Sequence, residues 1–177
     1  SIEILISMTI RILMTGGTID GRLLSASESK RPKSYVPRML KEARAGVPVR
    51  TELICQKDSR LLTQIDRKKI LASCLGSKEE QIVITHGTYT MAETAAYLGP
   101  KIKNKTVVLT GSMVPFPEKG SDAMFNLGAA ITAAQLLKSG VYVLMNGRIF
   151  DWDNVRKDPK TKKFVERKVN PKKARQF

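Results

Sequence analysis

The chain of 177 residues contains one histidine, two cysteines and one tryptophan. It also has no apolar run approaching the roughly eighteen residues that a membrane span requires. Each scarcity closes a route. The lone His86, at a strand end, reads as structural rather than as a general base, and no serine–histidine–aspartate constellation is evident in the sequence. Cys55 and Cys74 fall in an expected strand and an expected helix. They offer neither a disulfide framework nor a metal site, and fit reduced thiols in a cytoplasmic protein. Ser1–Ile6 is apolar but carries Glu3 and lacks a basic flank and a cleavage site, so it does not read as a signal peptide. Acidic residues are also few: 31 Lys plus Arg face 16 Asp plus Glu, for a net charge of +15. That balance suits an anionic partner such as RNA. The charge is spread along the chain, however, with only ten basic and four acidic residues in 151–177. No aromatic residues alternate with the basic ones, so nucleic acid is not the expected partner.

What remains is a chain that is 42% hydrophobic and long enough to bury a core. Ile10, Ile12 and Leu13 read as a buried strand that ends in Thr15-Gly16-Gly17-Thr18, followed by a polar loop over 20–36 of the kind that forms either a lid or a mobile hairpin. Pro37 opens a helix that Gly46 ends, and Val49–Ile54 is the second strand. Thr63 caps a helix through Cys74. Gln81–Thr85 is a strand, and Thr90 with Glu93 forms a capping box for helix Met91–Leu98. Thr106–Leu109 is a strand, a helix runs from Ser121 or Asp122 to about Lys138, and Val141–Met145 closes the series. Asn146-Gly147 turns the chain into a small hairpin over Ile149–Trp152. Beyond Asp153 the polar sequence suggests a loosely held tail. The expected organisation is a short extension over 1–9 joining strand one, one domain over 10–165, and a basic tail over 166–177.

Alternating apolar strands and helices predict a doubly wound, mostly parallel sheet in a Rossmann-like three-layer α/β sandwich. Ligands bind such sheets beyond the carboxyl ends of the strands. Three carboxyl ends carry the same small, hydroxyl-bearing, glycine-containing signature: Thr15-Gly16-Gly17-Thr18, His86-Gly87-Thr88 and Thr110-Gly111-Ser112. Any one of them could be an ordinary turn. Together they suggest a nucleophile beside backbone donors for an oxyanion.

These motifs, with Thr90-Met91, Glu93-Thr94-Ala95, Lys105–Met113, Ser121-Asp122, Phe125-Asn126-Leu127 and Val143–Asn146, resemble the bacterial-type L-asparaginase family over about residues 10–165. The resemblance covers the N-terminal domain of the usual member and implies a short, single-domain branch. It implies that Thr18 attacks the side-chain amide of asparagine, or of glutamine, through an acyl-enzyme. Thr88 would be the second threonine of a relay, and Tyr35 an activating tyrosine from the lid. Ser59, with Asp58 before it, would hold the substrate carboxylate. Gly87 and position 89 would line the substrate, and backbone amides of Gly17 and Thr88 would hold the oxyanion. No metal or cofactor is implied; the partners would be a small amide and, by analogy, a second copy in a homodimer.

Two positions depart from the family pattern. An aspartate that binds the substrate ammonium and anchors the relay is here Tyr89, and a neutral phenol cannot replace a carboxylate. The relay lysine falls at about Leu136, with Lys138 pointing elsewhere on the helix. Three readings therefore stand: a threonine-dependent amidohydrolase, a weak or inactive relative that binds a small amino acid or a protein, and an RNA-associated protein.

Overall fold

The computed structural model describes residues 9–21 and 34–167. Residues 1–8, most of the expected lid and the basic tail beyond 167 lie outside them. A six-stranded sheet organises the chain in the order β2-β1-β3-β4-β5-β6. Its strands are β1 Ile10–Gly16, β2 Val49–Lys57, β3 Gln81–Thr85, β4 Thr106–Thr110, β5 Gly140–Met145 and β6 Arg148–Asp151. The first five are parallel, and β6 returns antiparallel to β5. Among the described residues four helices cover it: α1 Val36–Glu42, α2 Gln64–Gly76, α3 Met91–Leu98 and α4 Ala123–Leu136.

Strand side chains alternate in direction, so each central strand feeds two cores. Leu13, Ile82, Ile84, Val107, Leu109 and Val143 meet Ile70 and Cys74 of α2 and Met91, Ala95 and Leu98 of α3. On the other face Ile12, Met14, Val83, Val108 and Leu144 meet Met39 of α1 and Leu127, Ala130 and Ile131 of α4. All five residues of β4 are buried, as expected where both faces are covered. The fold is thus the expected three-layer α/β sandwich.

Several boundaries differ from expectation for identifiable reasons. β2 runs three residues past Ile54 because it stays paired with β1, through a register shift after Met14. α1 stops at Glu42, before Gly46, and Arg44 takes the positive φ of 50°. The capping box forms at the start of α2, where Thr63 and Asp66 satisfy each other's backbone donors. It does not form at α3: the Thr90 hydroxyl donates to the Ser59 carbonyl at 2.8 Å instead, and Glu93 accepts from Arg67. Asn146 and Gly147 both take positive φ, as a two-residue hairpin loop demands.

The largest revision concerns the segment after Asp153, which is no loose tail. Strands β7 (Arg156–Lys157) and β8 (Phe164–Val165) form an antiparallel hairpin. Val155 and Phe164 anchor it by entering the core beside α3. Its turn is held by the Asp158 carboxylate, which accepts from the amides of Lys160 and Thr161.

Candidate active site

In the strand order β2-β1-β3, the chain winds outward in both directions from β1, and the crevice beyond the carboxyl ends of β1 and β3 is the topological switch point. The backbone there is very close. Gly16 and Gly17 have φ of 93° and 82°, and a Cβ on Gly17 would collide with the N and Cα of Gly87. A Cβ on Gly87 would in turn lie 2.6 Å from the Ser59 hydroxyl oxygen. Three strand ends therefore touch only because two of the residues lack side chains.

From this junction the chain turns into two short 3₁₀ segments, Thr18–Asp20 after β1 and Ser59–Leu61 after β2. Ser59 is buried and locked to the third end: its carbonyl accepts from the Thr90 hydroxyl, and its own hydroxyl accepts from the Thr90 amide at 3.3 Å. Thr88 is buried, and its hydroxyl accepts a hydrogen bond of 2.7 Å from Lys157 Nζ. Burial, then the neighbouring Lys162 and Arg60, hold the Lys157 pKa below that of an ordinary lysine. The Thr18 hydroxyl has no hydrogen-bond partner among the described residues, and neither has the Thr88 amide.

The surrounding polar groups position this cluster. The Asp58 carboxylate accepts from the Arg60 amide (2.9 Å) and grips its guanidinium at 2.9 and 2.7 Å. Asp66 accepts from Lys57 at 2.9 and 2.8 Å and from Thr63. Burial works against its charge, but these hydrogen bonds outweigh it and lower the pKa to about 2. His86 is fully buried, with Nδ1 2.7 Å from the Gly87 carbonyl and Nε2 2.9 Å from the Thr94 hydroxyl. Burial lowers its pKa to about 4, so it is a neutral strut with Nδ1 donating. Among the described residues no three His, Cys, Asp or Glu side chains converge as a metal site would require.

The chain matches the family described as "Asparaginase, N-terminal" over residues 9–164. The chain belongs to the asparaginase family. It is 35% identical to L-asparaginase 2 of Escherichia coli over 176 residues, covering 91% of this chain and 49% of that protein. The structure of the thermostable L-asparaginase from Thermococcus kodakarensis superposes with a TM-score of 0.77 at 32% identity, covering 90% of this chain and 51% of the other. L-asparaginase I from Vibrio cholerae gives a TM-score of 0.76 at 26% identity, covering 93% and 53%. The chain thus spans about half the length of these asparaginases.

At this crevice, the residues expected from sequence divide into two groups. Thr18, Ser59, Gly87, Thr88 and Tyr89 come together at the crevice, with Asp58 one step behind, holding Arg60. Two others do not take the expected place. The Gly17 amide donates to the Lys57 carbonyl at 2.9 Å, so it is not free for an oxyanion. The Tyr35 amide is held by Asp20 at 2.8 Å, and its ring packs against Phe116, with centroids 5.9 Å apart. It makes no hydroxyl contact with Thr18. The third strand end stands behind the first two: Thr110 donates to the Leu144 carbonyl, and Gly111 packs against His86. Thr15 is likewise buried and donates to Thr85.

Lys157 was missed from sequence. Leu136, where a relay lysine was expected, is 79% exposed at the end of α4, whereas Lys157 reaches Thr88 from the β7–β8 hairpin. The available signal was weak: two apolar residues, Val155 and Phe164, nine positions apart in a basic stretch. Arg60 was missed because only its neighbours, Asp58 and Ser59, carried a motif.

Proposed function

We propose that this chain carries an asparaginase-type amidohydrolase site acting on the side-chain amide of asparagine, or a related small amide, with Thr18 as nucleophile. The Thr18 oxygen attacks the amide carbon and forms a tetrahedral intermediate, whose oxyanion is held by the Thr88 amide. The C–N bond then breaks, ammonia departs with an added proton, and an ester to Thr18 remains. Water cleaves the ester, giving the acid and restoring the hydroxyl. Lys157 and Thr88 manage the protons. Because Lys157 donates to Thr88 Oγ1 and holds it, that oxygen keeps a lone pair to take the Thr18 proton while its own proton passes to the departing nitrogen. A lysine held below its ordinary pKa exchanges protons near neutral pH more readily than a solvated one.

The Lys157–Thr88 contact carries this reading, because it supplies at the switch-point crevice the activating partner that a threonine nucleophile needs. A homodimer and a cytoplasmic setting belong to the same proposal; one structural relative is named a probable cytoplasmic L-asparaginase from Campylobacter jejuni. The test is ammonia release from asparagine and glutamine by the full chain. Turnover that disappears in Thr18→Ala is the expected result. Turnover that survives the substitution would overturn the assignment of the nucleophile, and no turnover by the parent chain of these amides or of one lacking the α-amino group would favour the binding-protein reading.

A further inference from the structure

Tyr89 stands at the rim of the crevice directly after Thr88 and is half exposed. Two cations lie against its ring: Arg60 Cζ and Lys157 Nζ are each 4.3 Å from the centroid. At that distance the π-face attracts both and holds them together despite their like charge. Their anionic partners are unequal. Arg60 is neutralised by Asp58, and Lys57 across the rim by Asp66. Lys157 forms no ion pair among the described residues; its contacts there are the Thr88 hydroxyl and the Tyr89 ring. Among the described residues the mouth of the site therefore carries one unbalanced positive charge, placed beside Thr88. Burial, then the nearby cations Lys162 and Arg60, depress the basicity of Lys157.

A substrate brought to Thr18 must lie against this wall. A carboxylate on it would be drawn to Lys157 and Arg60, whereas an ammonium would meet two cations and carboxylates already spent on other partners. Like charges set against each other are an effective means of rejecting a ligand. We propose that Tyr89, with Arg60 and Lys157, makes the site selective for ω-amides of short dicarboxylic acids. Such compounds carry a carboxylate and a primary amide but no α-amino group. The inference rests on the amidohydrolase reading and narrows its substrate class.

The experiment compares kcat/KM for succinamate and L-asparagine, measured by ammonia release from the full chain. Succinamate is expected to be preferred at least tenfold. Tyr89→Asp should reverse the order by restoring an anion for the ammonium, and Arg60→Gln should reduce the preference several-fold. A parent chain that turns over asparagine as well as succinamate overturns the inference while leaving the amidohydrolase reading intact. So does a ratio that Tyr89→Asp does not move. If neither amide is turned over, the amidohydrolase reading fails, and calorimetry with succinate and L-aspartate decides the specificity separately. Tighter binding of succinate sustains it; equal or weaker binding, or none, ends it.

Discussion

The two ends of the same sheet treat charge in opposite ways. At the amino end, Glu79 is buried just before β3, accepts from the Ser77 hydroxyl at 2.6 Å, and lies 3.8 Å from Arg11 and 3.6 Å from Arg50. Lys105 closes the same corner by donating to the carbonyls of Ser77 and Glu79. Burial works against the charge of Glu79, yet Ser77, the backbone and the two arginines outweigh it and lower its pKa. At the carboxyl end Lys157 is half-buried with a hydroxyl and a ring for partners, and its pKa is depressed. One end has satisfied its buried charge and contributes stability; the other has left a cation and a hydroxyl open to a ligand. Perturbed groups of the second kind mark functional sites.

Substitutions can break this contrast, because each end should respond in a different measurement. Thr18→Ala should lower kcat roughly 10³-fold or more, and Lys157→Met about 10²-fold with KM moved less, in steady-state ammonia-release assays. Neither should shift the urea midpoint appreciably. A large loss of stability in Thr18→Ala would show that the crevice is structural after all.

Next in size is a pH effect. His86 is the only histidine, and burial sets its folded pKa near 4, below the ordinary 6.5. The unfolded chain therefore binds the proton more readily. Its contribution to stability is full above pH 6.5 and declines as pH falls toward 4, by about 3 kcal/mol in all. An NMR titration of the single imidazole checks this directly; protonation near 6.5 in the folded protein would contradict it.

Glu79→Gln keeps shape but removes the buried anion facing Arg11 and Arg50, and should cost about 2 kcal/mol in urea unfolding while leaving kcat per folded molecule unchanged. The smallest effect belongs to Asp66→Asn, which removes an anion from Lys57 and weakens the α2 cap, at about 1 kcal/mol. Because the Asp66 pKa is lowered to about 2 from 3.8, that cost should be constant above pH 4 and vanish as pH falls toward 2. Denaturation curves at pH 7 and pH 2.5 measure the difference.

What could be read in the sequence follows from how local each determinant is. Strands β3 and β4 were visible because both of their faces are apolar, and α2 because Thr63 caps it from three residues away. The crevice was visible because glycine is needed wherever two backbones meet as closely as Gly17 and Gly87 do. The division of labour among the threonines was hidden. Thr15 and Thr18 differ by three positions, yet one is buried and straps β1 to β3 while the other is partly exposed at the start of the following 3₁₀ turn, and strand register and that turn decide which. Thr90 stands at the N-cap position as expected, but its hydroxyl forms no capping bond and donates instead to the Ser59 carbonyl, 31 residues away. Tyr35 was assigned to the site by its neighbourhood in the chain, and packing against Phe116 claimed it instead.

The β7–β8 hairpin has a consequence for how the site comes into being. It docks through little more than Val155 and Phe164, yet it delivers Lys157 to Thr88. A unit with so few anchors is expected to open on its own, well below the threshold for global unfolding. Each opening would withdraw the lysine while the sheet, Thr18 and Ser59 stayed in place. Mild denaturant should therefore abolish the proposed turnover before it unfolds the chain, and amide exchange in the hairpin should track the loss of rate.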